Sequence, residues 1–149
     1  MKSKRILILC TGNSCRSQMA HGFLQSFDEG LDVHSAGTHP AAVVNPNAIK
    51  VMNELGIDIS HHSPKQVDSY ISEKWDYVIT VCGNANETCP AFVGNVAHRL
   101  HIGFDDPVDT VGTEDEVMTV YRRVRNEILV EFFRFYHREI RVLTTQFKD

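Results

Sequence analysis

The chain has 149 residues, 42% of them hydrophobic and 23% charged, with a formal net charge of −4 at pH 7. That is a globular composition at the size of one domain, long enough to bury a core without disulfides or metal. The acidic balance argues against a general nucleic-acid binder, and no apolar run approaches the roughly 20 residues that cross a membrane.

Arg5 to Cys10 is an apolar run closed by Thr11-Gly12-Asn13-Ser14, which predicts a buried parallel strand followed by a loop. From Ser17 onward, Met19, Ala20, Phe23, Leu24 and Phe27 recur at helical spacing. Asp32 to Ala36 reads as a second strand ended by Gly37. Asn45-Pro46 is a helix start, with Asn as cap and Pro at the first position. Ala48, Ile49, Met52 and Leu55 form that helix's apolar stripe, and Gly56 stops it. A polar connection from Ser60 to Lys65, including His61-His62, reads as a solvated loop. It leads to a short helix from Gln66 to Ser72, a strand from Trp75 to Cys82 and a fourth strand from Val96 to Ile102.

Thr113-Glu114-Asp115-Glu116 carries a capping-box pattern and opens a long helix with Val117, Val120, Val124, Ile128, Phe132 and Phe135 on one stripe. Phe133, Tyr136 and Ile140 make a second stripe, read as intramolecular packing. The helix's arginines, interspersed with Glu127, Glu131 and Glu139, read as a solvated face. No repeat or linker interrupts the chain, so residues 1–149 are expected to form a single α/β domain. A central, mostly four-stranded parallel sheet flanked by helices is the predicted architecture. Ligands of such sheets bind beyond the carboxyl ends of the strands. Cys10 and Cys82 both fall there.

The four cysteines are Cys10, Cys15, Cys82 and Cys89. The apolar stretch after the basic N-terminus is too short for a signal peptide. Thiols kept reduced in the cytoplasm for their chemistry are therefore expected over a secreted disulfide framework. The segment Cys10-Thr11-Gly12-Asn13-Ser14-Cys15-Arg16-Ser17 has the form of a cysteine, five residues, an arginine and a serine, between a strand and a helix. Small residues there let successive backbone N–H groups turn inward as an anion nest, and the helix adds its positive end. Arg16 can grip two oxygens of a tetrahedral oxyanion. That field favours thiolate over thiol at Cys10, and the Ser17 hydroxyl is near enough in sequence to donate to the sulfur. A nucleophile held against a phosphate-like oxyanion is the predicted result. Displacement at such a centre needs its leaving oxygen protonated, and Asp105-Asp106-Pro107 supplies candidates; two adjacent carboxylates favour keeping one protonated.

The stretch from Cys10 through Ala20 resembles arsenate reductases of the low-molecular-weight phosphotyrosine phosphatase fold. The resemblance continues through Ser35-Ala36-Gly37, Asn45-Pro46, Gly56-Ile57-Asp58-Ile59-Ser60, Cys82-Gly83, Cys89-Pro90, Gly103-Phe104-Asp105-Asp106-Pro107 and Arg123-Val124-Arg125-Asn126-Glu127-Ile128. It implies that Cys10 attacks arsenate while Asp106 protonates the departing oxygen. Cys82 then attacks the Cys10 sulfur, releasing arsenite, and Cys89 attacks Cys82, freeing Cys10. Thioredoxin would reduce the resulting pair. Reduction of As(V) takes two electrons, which two thiols supply, and the largely polar, glycine-containing interval of six residues between Cys82 and Cys89 is a short loop that is cheap to close.

The alternative is a phosphotyrosine protein phosphatase, which needs one cysteine and water. Such phosphatases place aromatic residues after Asp-Pro, where this chain has Val108-Asp109. Cys15 is expected to be structural, or a site of damaging oxidation. Family members bind potassium through Asn13 and an acidic residue at position 21. His21 removes that negative ligand, so no potassium activation, no metal and no cofactor are expected, and the chain is expected to be a monomer.

Overall fold

Ile6, Leu7, Ile8 and Leu9 have no solvent exposure because β1 (Arg5–Cys10) is paired on both sides and carries a core on each face. The computed structural model describes residues 3–83 and 91–141. Its single sheet is parallel throughout, in the order β2-β1-β3-β4, with β2 spanning Asp32–Gly37, β3 Lys74–Thr80 and β4 Asn95–His101. The register places Cys10 beside Gly37 of β2 and Leu9 beside Thr80 of β3. Among the described residues β4 pairs only with β3, at the edge of the sheet. Its two histidines and its arginine, which blur the strand pattern in the sequence, are those of an edge strand with one side open to water.

Side chains alternate across β1. Ile6, Ile8 and Cys10 enter the larger core, under α1 (Arg16–Phe27), α2 (Pro46–Asn53) and α3 (Glu114–Phe135). Leu7 and Leu9 enter a smaller core with Trp75, Val78 and Phe92, against which Val67 and Tyr70 pack. The cysteines at the strand ends therefore point to the helical side, where Cys10, Cys15 and Cys82 share one buried cluster.

The predicted caps are present. Asn45 Oδ1 accepts from the N–H groups of Asn47 and Ala48, at 2.8 and 3.3 Å. Thr113 and Glu116 close a reciprocal capping box. α2 ends at Asn53, two residues before the predicted stripe runs out at Leu55, because Gly56 takes a left-handed φ of 77° and Ile57 N–H returns to Met52 O. Leu55 consequently faces solvent. The short helix expected from Gln66 to Ser72 is one 3₁₀ turn, Val67–Tyr70, whose Tyr70 carbonyl accepts from Trp75 Nε1 at 3.1 Å. β3 stops at Thr80 rather than Cys82, although Val81 N–H still reaches Leu9 O at 3.0 Å.

The second stripe packs inward only in part: Phe133 and Tyr136 meet Phe27 at 5.6 and 5.9 Å between ring centroids, and Tyr136 and Ile140 pack on the core, but Phe133 is 50% exposed. α3 passes into a π-helical turn, Tyr136–Ile140. Its basic face is only partly solvated. Arg123 and Arg134 pair with Glu127 and Glu131 on the surface, but Arg125 is buried and donates to Val51 O and Glu54 Oε1, clamping α3 to α2. No helix among the described residues is long and apolar enough to cross a membrane.

Candidate active site: an oxyanion loop beside a second thiol

The loop from Cys10 to Arg16 is shaped by its carbonyls. Thr11 O accepts from His39 N–H at 3.0 Å and Gly12 O from Ala41 N–H at 2.9 Å. Asn13 O accepts from Gln18 Nε2 at 3.0 Å and Ser14 O from Asn45 N–H at 2.9 Å. In a trans peptide the C=O and the following N–H point in opposite directions, and no cis bond is present among the described residues. Four carbonyls held outward therefore turn the N–H groups of Gly12, Asn13, Ser14 and Cys15 toward the concave side. The Asn13 N–H lies 3.3 Å from Cys10 Sγ. Gly37 must lack a side chain for this wrapping, since a Cβ there would lie 2.3 Å from Thr11 O.

Asn13 takes a φ of 50°, a left-handed conformation that asparagine tolerates better than most residues. Its side chain is used at both ends. Oδ1 accepts from Lys65 N–H at 2.9 Å, and Nδ2 donates to Ser17 Oγ at 2.8 Å. Ser17 Oγ is in turn 3.1 Å from Cys10 Sγ. The predicted serine–cysteine contact is thus in place.

Arg16 is 3% exposed and donates to Phe104 O at 3.2 Å and to Asp106 Oδ2 at 3.3 Å. The two candidate acids diverge. Asp106 caps the 3₁₀ turn Pro107–Asp109 through Val108 N–H and faces the loop's arginine. Asp105 is 66% exposed and reaches Arg123 at 3.4 Å. The two neighbouring carboxylates thus go to different partners, and it is Asp106 that faces the loop.

Cys10 and Cys82 are 2% and 3% exposed and follow, on neighbouring parallel backbones, the bond from Val81 N–H to Leu9 O. The next residue, Gly83, runs so close to the segment bearing Asp106 that a Cβ would lie 2.3 Å from Phe104 O. The structure therefore brings Cys10, Arg16, Ser17, Cys82 and Asp106 to one end of the sheet. Cys15 precedes α1, is buried and not disulfide-bonded, and burial pushes its thiol up. Cys89 lies outside the described residues.

Behind the loop lies a layer whose contacts the sequence does not reveal. Gln18 Oε1 accepts from His62 Nδ1 at 2.9 Å, and the His62 ring contacts His21 at 4.5 Å between centroids. His21 Nδ1 is 3.0 Å from Ser35 Oγ. These residues, with His34, His61 and Lys65, line a hollow of about 210 Å³. Burial, with His62, His34 and His61 nearby, holds the His21 imidazole down to about 3, so it is neutral near pH 7. His62, expected in a solvated loop, is half-buried, and burial followed by His61 lowers its imidazole too. Only the Gln18 and His62 side chains signal this layer in the sequence, and nothing local to either names the other.

The chain matches the family model for low molecular weight phosphotyrosine protein phosphatase over residues 5–141. It is 50% identical over 129 residues to an arsenate reductase of Halalkalibacterium halodurans, covering 86% of this chain and 91% of that protein. A solved arsenate reductase in the phosphate binding state superposes with a TM-score of 0.74 at 31% identity, covering 91% of this chain and 98% of the other. A thioredoxin-dependent arsenate reductase of Corynebacterium glutamicum superposes with a TM-score of 0.54 at 25% identity, covering 87% of this chain and 62% of the other. The chain belongs to the low molecular weight phosphotyrosine protein phosphatase family and, within it, to the arsenate reductases.

Proposed function

We propose that this chain reduces arsenate to arsenite with Cys10 as nucleophile and Cys82 and Cys89 as the electron-delivering pair. The oxyanion is held by the inward N–H groups of the loop and by Arg16. Cys10 Sγ attacks arsenic, and one oxygen departs as water, taking its proton from Asp106. Cys82 then attacks the Cys10 sulfur. The S–As bond breaks, its electron pair goes to arsenic, and As(III) leaves as arsenite. Cys89 next attacks Cys82, which frees Cys10 as a thiolate and leaves a Cys82–Cys89 disulfide. A reduced dithiol protein, thioredoxin in this reading, returns the pair to thiols.

The observation that carries this reading is the placement of Cys82 beside Cys10. Both are buried in one cluster at the ends of adjacent parallel backbones. A phosphatase has no use for the second thiol. The solved relative described as thioredoxin-dependent supports the choice of reductant. Thiols that must cycle through the reduced state suit a reducing compartment, so the cytoplasm is the proposed location, with the monomer as the working unit.

The reading includes no potassium requirement. A hard cation behind the loop would want oxygen ligands, yet Asn13 Oδ1 is taken by Lys65 N–H and position 21 carries an imidazole engaged with Ser35. Turnover in potassium and sodium chloride of equal ionic strength is expected to agree within about twofold.

The test is turnover of arsenate with thioredoxin, thioredoxin reductase and NADPH, run beside hydrolysis of a phosphotyrosine substrate. Arsenate-dependent NADPH oxidation is expected. Its absence alongside brisk phosphotyrosine hydrolysis would overturn the assignment in favour of a phosphatase.

A further inference from the structure

The Ser14–Cys15 peptide closes the anion cradle, and its carbonyl is held outward by Asn45 N–H, which donates to Ser14 O at 2.9 Å. Asn45 stands before Pro46, which restricts it to extended backbone, here φ −60° and ψ 125°. Its side chain has two jobs that must not be exchanged. Oδ1 accepts from the first N–H groups of α2, and Nδ2 donates to the Tyr121 hydroxyl oxygen at 3.2 Å.

Tyr121 comes from α3, is 2% exposed and lies in the same buried cluster as Cys10 and Cys15. Its hydroxyl also meets the Asn47 side chain, and its electrostatic neighbours include Cys15 and Asp106. The mechanism proposed above makes no use of this buried phenol. The N–H groups of Asn47 and Ala48 can only donate and so fix Oδ1 at the cap, while the Tyr121 hydroxyl, accepting from Nδ2, ties the other end of the amide to α3. Held at both ends, Asn45 is anchored as the residue whose N–H holds the loop.

We propose that Tyr121 is a positioning residue of the oxyanion loop, acting through Asn45 on the Ser14–Cys15 peptide. The proposal rests on the reading of that loop as the oxyanion site. α3 thereby braces a loop more than 100 residues earlier in the chain, and Tyr121 touches neither the oxyanion nor the reacting sulfur.

Tyr121→Phe keeps the ring and removes only the hydroxyl, while Asn45→Ser keeps a good helix cap and the backbone N–H but cannot reach Tyr121. The measurement is binding of inorganic phosphate by titration calorimetry, beside thermal stability and arsenate kinetics. Each single variant is expected to weaken phosphate binding about 3- to 10-fold, the effect of loosening roughly one hydrogen bond. The KM for arsenate should rise in parallel while kcat stays within about twofold, as expected when binding is lost equally from ground and transition states. Because both changes break one link, the double variant should bind phosphate no worse than the weaker single variant, within about twofold.

A Tyr121→Phe protein that loses thermal stability but binds phosphate like wild type would show that the phenol only fills the core, and would overturn the proposal. Multiplying effects in the double variant would overturn it as well. Wild-type protein that binds no phosphate would overturn the oxyanion-site reading itself, and this inference with it.

Discussion

Ser17 Oγ lies 3.1 Å from Cys10 Sγ, and a third group sets the direction of that hydrogen bond. Asn13 Nδ2 donates to Ser17 Oγ at 2.8 Å. The single hydroxyl proton is therefore left to point at the sulfur, which it stabilises best as a thiolate. Ser17→Ala is expected to slow alkylation of Cys10 by iodoacetamide at neutral pH at least about 10-fold, the scale of a hydrogen bond to a charged group. The fold should persist, with little change in the circular-dichroism spectrum. Unchanged alkylation would mean that the serine is not the thiolate's donor.

The two neighbouring aspartates should differ sharply. Asp106 faces Arg16, whereas Asp105 is largely exposed and pairs with Arg123. Asp106→Asn is expected to lower kcat for arsenate about 100-fold or more, the range of a lost general acid. Asp105→Asn should stay within about twofold, because an exposed ion pair contributes little. Equal losses at the two positions would contradict the assignment of the acid.

His21 should make the protein acid-sensitive. Burial and the nearby His62, His34 and His61 hold its imidazole down to about 3 in the folded chain, against roughly 6.5 when unfolded. The unfolded chain then takes up a proton that the folded chain refuses. The stabilisation is thus complete above about pH 6.5 and is lost as pH falls toward about 3, by up to about 1.4 kcal/mol per unit. Urea unfolding at pH 7.5 and 5.5 checks this. His21→Gln, which can keep a bond to Ser35, should lose about 1 kcal/mol less than wild type over that interval. An equal loss in both proteins would place the acid sensitivity elsewhere.

Much of this architecture is legible before folding because its causes are local. The apolar run before Cys10, the Asn45-Pro46 cap and the Thr113 capping box each carry their reason within a few residues. The oxyanion loop is legible for the same reason, since its small residues, its arginine and the following helix are contiguous. The layer behind it is not. Lys65 N–H meets Asn13 Oδ1 across 52 residues and His62 meets Gln18 across 44, and no periodicity encodes such contacts. The Asp105-Asp106 pair shows the intermediate case. Spacing nominates both carboxylates, but the 3₁₀ turn at Pro107 and the position of Arg123 on α3 decide where each one points. Tyr121, in turn, sits on a helical stripe like any core aromatic, and only the fold brings its hydroxyl to Asn45.

The central claim is that electrons leave through Cys82 and Cys89 in sequence, and the amount of arsenite released by a Cys89→Ala variant tests it most directly. Supplied with arsenate, thioredoxin, thioredoxin reductase and NADPH, the variant should release about one arsenite per chain and stop, because the Cys10–Cys82 disulfide then has no internal thiol to resolve it. Wild type should turn over continuously under the same conditions. Sustained multiple turnover by Cys89→Ala would contradict the relay.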